Sequence, residues 1–162
     1  MKKVCAASAV VAVLAGCEAS EVTQPPVEVS IKSTVPTGRV LGFTEPVFRT
    51  HLRKDGRQSE VIGARCSFDS AEVSGSFVTP AIVRMPIFKG QPTTLRVACT
   101  APELAGNRDV SPRLNGTAVG GASPAGLVVG LVTASIVAAQ DKWSYGANNV
   151  AMGITLEPRS AE

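Results

Sequence analysis

Histidine and aromatic side chains are scarce in this chain of 162 residues. It contains one His, one Trp and one Tyr, and aromatic residues make up 4% of the sequence. Every mechanism that needs an imidazole must therefore use His51. No Gly-x-Ser-x-Gly motif accompanies it, and alternation places it on the same strand face as Arg49 and Arg53, the solvated one. The sequence thus predicts a protein that is not an enzyme, with a hydrolase that uses His51 as the alternative.

A strong excess of charge is also missing. The chain has 16 basic and 13 acidic residues. Two of the bases, Lys2 and Lys3, precede an apolar run that we expect to be removed, which leaves 14 against 13 and a net charge of +1. A nucleic-acid-binding protein needs a basic stripe, so no nucleic-acid partner is predicted. Neither a phosphate-binding glycine motif nor a metal-ligand spacing is present, so no cofactor and no metal are predicted.

The beginning of the chain is typical of an export signal. After Met1-Lys2-Lys3, residues 4–16 carry no charge, and this run is too short for a spanning helix. It ends in Leu14-Ala15-Gly16-Cys17, which resembles the lipobox of bacterial lipoprotein precursors. The resemblance implies that residues 1–16 are a signal peptide and that Cys17 is acylated, with palmitate among the acyl chains, and anchored in a membrane. The alternative is ordinary signal cleavage that leaves Cys17 as a thiol.

The residues after Cys17 bear on which membrane holds the protein and on how far the domain lies from it. Glu18 is not the aspartate that usually retains such lipoproteins in the inner membrane, so we expect the cell outer membrane, with the protein facing the periplasm or the surface. Residues 18–26 are polar, end in two prolines and lack any apolar period. Together with the lipidated Cys17 they predict a flexible tether over 17–26, followed by a single β-rich domain over 27–162.

Several segments of that domain alternate with a period of two, which predicts strands with one buried face. Val27, Val29, Ile31 and Val35 are expected to share one face of a first strand. Residues 47–54 and 57–68 flank Asp55-Gly56 and predict a hairpin, and residues 81–88 and 93–100 predict another. These segments predict a mainly β fold, a small sandwich of the immunoglobulin-like or transthyretin-like kind or a partly open barrel.

Alternation also places two cysteines in the expected core. Cys66 shares a strand face with Ile62, Ala64 and Phe68, and Cys99 shares one with Leu95 and Val97. Because an exported protein meets oxidising conditions, a Cys66–Cys99 disulfide between the two sheets is predicted, with two unbridged buried thiols as the alternative. Lipid on Cys17 and removal of Cys5 leave this even pair.

The same region carries a second resemblance. Cys66-Ser67-Phe68, Phe77-Val78-Thr79-Pro80-Ala81-Ile82-Val83 and Thr94-Leu95-Arg96-Val97-Ala98-Cys99 follow each other within residues 60–106. This order resembles PEGA-like β-sandwich domains of bacterial lipoproteins, although the Pro-Glu-Gly-Ala signature is absent. A Gly-rich apolar segment follows the cysteine module in several such lipoproteins. The resemblance implies a non-catalytic module of the cell envelope.

The apolar segment over residues 118–140 lies in a stretch without charge. Small residues recur in it at every fourth position, namely Ala122, Gly126, Gly130, Ala134 and Ala138. On a helix this stripe would let a second helix approach closely, so we predict one Gly/Ala-rich apolar helix near the C-terminus. A buried strand and a spanning helix are the alternatives. Residues 150–156 predict a last short strand.

Four bases cluster around the first predicted turn, namely Arg49, Arg53, Lys54 and Arg57. They predict either a patch for an anionic surface or a solvated hairpin tip. Taken together, the sequence predicts a lipid-anchored, non-enzymatic envelope lipoprotein with a structural or binding role and an envelope protein or a second copy as partner. The alternative is an oligomerising or membrane-inserting component built on the small-residue stripe.

Overall fold

The chain forms strands where apolar and polar side chains alternate, because alternation gives a strand one buried and one solvated face. The computed structural model describes residues 19–115 and 141–159, and these residues contain thirteen strands and no helix. In chain order the strands are β1 (Val27–Glu28), β2 (Ser30–Ile31), β3 (Val40–Thr44), β4 (Val47–Lys54), β5 (Arg57–Val61), β6 (Arg65–Asp69), β7 (Val73–Val78), β8 (Ala81–Lys89), β9 (Leu95–Ala101), β10 (Leu104–Val110), β11 (Arg113–Leu114), β12 (Lys142–Ser144) and β13 (Ala151–Pro158).

These strands join into one continuous sheet with the order β11–β12–β8–β4–β13–β10–β9–β6–β7–β2. Strands β1 and β3 add to β8, and β5 adds to β4. The last strand, β13, pairs in parallel with β4 and antiparallel with β10. It therefore connects a first half of the sheet around β8 and β4 with a second half around β9 and β6. Gly106 on β10 permits the close approach, since a Cβ there would collide with the backbone oxygen of Thr155.

The two halves of the sheet cover a common core. The ring of Phe48 on β4 lies 4.9 Å from the ring of Phe77 on β7, and Phe68 on β6 lies 6.0 Å from Phe77. Tyr145 packs edge-on against Phe88 at 6.4 Å. Burial of each large apolar side chain contributes about 1.5–3 kcal/mol, so this cluster holds the halves together. Its fully buried aliphatic members include Val73, Val83, Met85, Leu95, Val97, Ile154 and Leu156.

The first predicted hairpin is confirmed. β4 and β5 pair antiparallel from Lys54↔Arg57 to Thr50↔Val61. Asp55 and Gly56 have φ angles of 50° and 74°, as a tight hairpin turn of this kind requires. Strand β5 ends at Val61, however, and Gly63 with φ 82° separates it from β6. Ile62 is consequently 64% exposed and does not share the buried face predicted for it.

The second predicted hairpin is wrong. Strands β8 and β9 form close to where alternation predicts them, but they do not pair with each other. β8 pairs with β1, β3, β4 and β12, whereas β9 pairs with β6 and β10. The five residues between them, 90–94, carry the chain from one half of the sheet to the other. Turn-forming residues predict that the chain changes direction here, but they do not predict which strand pairs with which.

The first predicted strand is interrupted. At Val29 the chain changes partner, because β1 pairs in parallel with β8 while β2 pairs antiparallel with β7. Val27, Val29 and Val35 pack against the core, but Ile31 is 41% exposed. The expectation of one strand face shared by all four residues is therefore wrong at Ile31.

The predicted fold class is also wrong. The fold is mainly β and carries the predicted disulfide, but its strands form one sheet rather than the two sheets of an immunoglobulin-like or transthyretin-like sandwich. β13 is the physical reason, because it hydrogen-bonds to both halves. No helix occurs among the described residues, and the segment 118–140 assigned to the predicted helix lies outside them. The strand predicted over 150–156 is present as β13.

Candidate functional site

The disulfide joins two neighbouring strands of the sheet. Cys66 on β6 lies directly opposite Cys99 on β9, with a Cα–Cα distance of 4.0 Å and an S–S distance of 2.03 Å. Both residues belong to the buried core, as their alternation with exposed neighbours predicts. The pairing is therefore confirmed, but its predicted place between two sheets is wrong. The bridge closes a 33-residue loop, and the two strands that it joins, β6 and β9, are neighbours in the same half of the sheet.

The four bases predicted as one cluster separate into two groups. Arg49 is mostly buried, with 14% of its side chain exposed, and its guanidinium lies 2.5 Å from the Glu60 carboxylate of β5. Arg53, Lys54 and Arg57 are exposed at the tip of the β4–β5 hairpin. The sequence places them together because they are close along the chain. Only these last three are available to a surface outside the domain.

Ser20 contacts the Arg49–Glu60 pair from the N-terminal segment. The backbone N–H of Ser20 donates to Oε2 of Glu60 at 2.9 Å, and Arg49 donates to the backbone oxygen of Ser20 at 2.7 Å. Partial burial acts to raise the pKa of Glu60, but the hydrogen bonds from Ser20 and Arg49 outweigh it and lower the pKa below 4.5. We call this three-residue contact the Ser20 seat. It was not predicted, since the segment lacks an apolar period and its partner Glu60 lies 40 residues away.

His51 lies beside the seat in the same strand register. It is opposite Glu60 on β5 and Thr155 on β13. The two oxygens of Glu60 accept from Arg49 and from Ser20, and no hydrogen bond links either of them to His51. Glu60 is thus a cross-strand neighbour of His51, but its hydrogen bonds go to Arg49 and Ser20.

A cleft of about 520 Å³ opens where β10 and β11 meet β12 and β13. Its apolar walls include Val110, Tyr145 and Met152, and its charged lining residues are Arg108, Asp109 and Arg113. The guanidinium of Arg108 donates to the backbone oxygen of Gly153 and is thereby fixed in place. Such a combination of apolar wall and a few charged groups suits the binding of a ligand with an anionic group.

A buried polar network borders the cleft through Tyr145. The Tyr145 hydroxyl donates to the backbone oxygen of Thr93 at 2.6 Å, and its oxygen lies 3.3 Å from the Ser70 hydroxyl. The Glu72 carboxylate accepts from the Thr93 amide at 3.1 Å and its hydroxyl at 2.8 Å, and lies 3.4 Å from Arg39. Burial raises the pKa of Tyr145 to about 12. Because these polar groups satisfy one another, the network is structural, and it ties the loop before β7 to the loop before β9.

No protein-family model, curated protein or solved structure matches this chain. The lipobox and the PEGA-like resemblance therefore remain predictions. The lipidation residue Cys17 and the stripe of Ala122, Gly126, Gly130, Ala134 and Ala138 lie outside the described residues.

The part of the chain that the structure describes has neither a metal-ligand cluster nor a helix suited to cross a membrane. Among residues 19–115 and 141–159, no three or more His, Cys, Asp and Glu side chains are grouped so that they could hold a metal ion. Over the same two ranges, no helix has the length and apolar character that crossing a membrane requires. The candidate site of the described domain is thus the cleft, with the Ser20 seat and the hairpin tip as a second, separate surface.

Proposed function

We propose that this protein is a lipid-anchored, non-enzymatic lipoprotein of the bacterial cell envelope, anchored in the outer membrane through Cys17. Its β domain then serves a structural or binding role at that membrane. The motif Leu14-Ala15-Gly16-Cys17 and the basic, then apolar residues before it support the anchor.

The observation that carries this proposal is the pairing of Cys66 with Cys99. The chain has four cysteines, and the other two are Cys5, within the proposed signal, and Cys17. With Cys5 removed and the core pair oxidised, Cys17 is the odd cysteine of the mature chain. An odd cysteine directly after a signal is where the lipid of a lipoprotein belongs, and the disulfide fits an oxidising compartment.

The cleft supports a binding role over a purely structural one. Arg108 and Arg113 bring two positive charges to its lining against the single negative charge of Asp109. A bound molecule with one anionic group and an apolar body would match this lining. The proposal accordingly favours a small amphipathic anion or the acidic end of a partner protein as the ligand.

Metabolic labelling with radioactive palmitate tests the anchor. The wild-type chain should incorporate the label, and Cys17→Ser should abolish it. Cys5→Ser is the matched control, because it removes a cysteine that the mature protein lacks and should leave labelling unchanged. Absence of label on the wild-type chain, or equal label on Cys17→Ser, would contradict the proposal.

A further inference from the structure

We propose that the Ser20 seat holds the domain directly on the bilayer and presents the tip of the β4–β5 hairpin to anionic lipid headgroups. This inference rests on the proposed lipid anchor at Cys17. Its partner is a membrane surface that contains anionic phospholipid, and its contact residues are Arg53, Lys54 and Arg57.

The first step is the length of free chain between lipid and domain. Only Glu18 and Ala19 separate Cys17 from Ser20. Three residue steps span at most about 11 Å even when fully extended. While Ser20 is bound to Glu60 and Arg49, the seat must therefore lie within that distance of the acylated sulfur, which sits at headgroup level. Residues 21–26, which would lengthen a free tether, lie on the domain side of the seat and add no reach.

The second step is the position of the hairpin tip relative to the seat. Glu60 is three residues from Arg57 along β5, about 10 Å at the usual rise of a strand. Gln58 lies opposite Arg53 and Glu60 opposite His51, so Arg53 follows the seat on the same face of the hairpin. Arg53 is two residues beyond His51 on β4, about 7 Å further toward the tip.

The third step is charge. The tip carries Arg53, Lys54 and Arg57 against Asp55, which gives a net charge of 3 − 1 = +2. All three basic residues are exposed. Arg49 differs from them because its charge is paired with Glu60 in the Ser20 seat. Each base near an anionic membrane surface strengthens association about fivefold. The seat and the tip together orient the domain, since the lipid alone would allow it to rotate freely.

The opposite end of the domain provides a matched reference position. Val47 of β4 pairs with Ile82 of β8, and the two strands run in opposite directions. From this pair, Lys54 lies seven residues away in one direction and Lys89 seven residues away in the other, about 23 Å each. Gln91, exposed just after β8, is therefore far from Gln58, which is exposed near the tip.

The experiment uses the lipidated protein reconstituted into vesicles of phosphatidylethanolamine with about 20% phosphatidylglycerol. Gln58→Cys or Gln91→Cys supplies a single free thiol, because Cys17 is acylated and Cys66 is bridged to Cys99. A fluorophore on that thiol is quenched by nitroxide on the lipid headgroups. We expect several-fold stronger quenching at position 58 than at position 91. Equal quenching in protein that floats with the vesicles overturns the inference, whereas protein that does not float contradicts the anchor itself.

A pair of insertions then tests the seat. Six Gly and Ser residues placed between Glu18 and Ala19 lengthen the free chain before the seat, and quenching at position 58 should fall toward that at position 91. The same insertion between Gln24 and Pro25 lies after the seat and should leave quenching unchanged. Equal loss from both insertions, or loss from the second alone, would show that Ser20 does not hold the domain at the membrane.

Discussion

Two glutamates show how single side chains connect distant parts of this domain. Glu72 is buried and accepts hydrogen bonds from Thr93, while its other oxygen faces Arg39. Glu60 is near the surface and accepts from Arg49 and from the backbone of Ser20. Each carboxylate joins chain segments that are far apart in sequence. Hydrogen bonds to a charged acceptor contribute about 1.5–3 kcal/mol, which is enough to fix a loop or a terminal segment.

The single tyrosine permits a direct test of the buried network. Burial raises the pKa of Tyr145 to about 12 from an ordinary value of 10.0. Because the folded pKa is higher than the unfolded one, the neutral phenol stabilises the fold below pH 10, and this contribution is lost as the pH rises toward 12. Ultraviolet titration of the folded protein should therefore show tyrosinate forming near pH 12.

The urea-unfolded protein is the control for this titration and should ionise near pH 10. Since the chain has one Tyr, the absorbance reports Tyr145 alone. Ionisation of the folded protein near pH 10, without loss of structure, would show that the hydroxyl is exposed and the network absent.

The stabilisation contributed by the Ser20 seat should be lost at low pH, whereas that contributed by Tyr145 is lost at high pH. The hydrogen bonds from Ser20 and Arg49 outweigh burial and lower the pKa of Glu60 below 4.5. The stabilisation by the seat is therefore present above pH 4.5 and is lost as the pH falls through the folded pKa. Hydrogen exchange of the Ser20 amide, corrected for its intrinsic rate, should show protection at neutral pH that disappears in acid. In Glu60→Gln this pH dependence should be absent, and an unprotected Ser20 amide at pH 7 in the wild-type chain would contradict the seat.

At the scale of elements, the sequence predicts strands better than it predicts their partners. Asp55-Gly56 predicts the β4–β5 hairpin, because a two-residue turn makes its two flanking strands pair with each other. The five-residue connection between β8 and β9 is long enough for each strand to pair with a different neighbour. Period-two alternation shows which face of a strand is buried, as at Leu95, Val97 and Cys99, but it contains no information about the neighbouring strand.

The same limit explains what was missed at the candidate surfaces. Arg49 follows the basic pattern of its neighbours along the chain, and only the fold reveals that Glu60 neutralises it. The cleft is assembled from β10, β11, β12 and β13, which local patterns do not bring together. The Cys66–Cys99 pair was predictable because both cysteines lie on strand faces that alternation marks as buried, and because two buried cysteines in an exported protein favour a disulfide.

Removal of the three basic charges at the hairpin tip should change the orientation of the domain at the membrane without releasing the lipid anchor. In lipidated protein labelled at Gln58→Cys, the added changes Arg53→Ser, Lys54→Ser and Arg57→Ser should reduce headgroup quenching on anionic vesicles to the level found on neutral ones. Each base contributes about 1 kcal/mol at such a surface. The protein should still float with the vesicles, since the lipid is unaffected.

The matched control removes the same charge elsewhere. Arg65, Arg96 and Lys142 are exposed and lie on β6, β9 and β12. Their replacement by Ser should leave quenching at position 58 unchanged. Quenching that falls equally in both triple variants would indicate a response to net charge alone and would contradict a defined contact at the tip.

At the scale of the whole molecule, the C-terminal strand β13 connects the two halves of the sheet. β13 pairs with β4, more than 100 residues earlier in the chain (154 − 50 = 104), and with β10. A pairing between strands that are far apart in the sequence therefore joins the two halves of the sheet. The disulfide links β6 to β9 within one of these halves.

Loss of the disulfide should lower the stability of the entire domain. The chain-entropy relation gives about 3.5–4 kcal/mol for a closed loop of 33 residues. Urea unfolding of Cys66→Ala/Cys99→Ala should show a decrease of about this size, and the reduced wild-type protein should unfold at the same urea concentration as this variant. Unchanged stability after verified reduction would indicate that the bridge does not constrain the unfolded chain.

The intact mass of the protein extracted from membranes is the decisive test of cleavage before Cys17 and of its lipidation. We expect a chain that begins at Cys17, carries the diacylglyceryl and acyl groups on Cys17 and is two hydrogens lighter than its fully reduced form. After enzymatic digestion, the two hydrogens should be missing from the peptides that contain Cys66 and Cys99, and the lipid should be found on Cys17. A mass for the chain cleaved before Cys17 but without lipid, or for a chain that still contains residues 1–16, would contradict the proposed anchor.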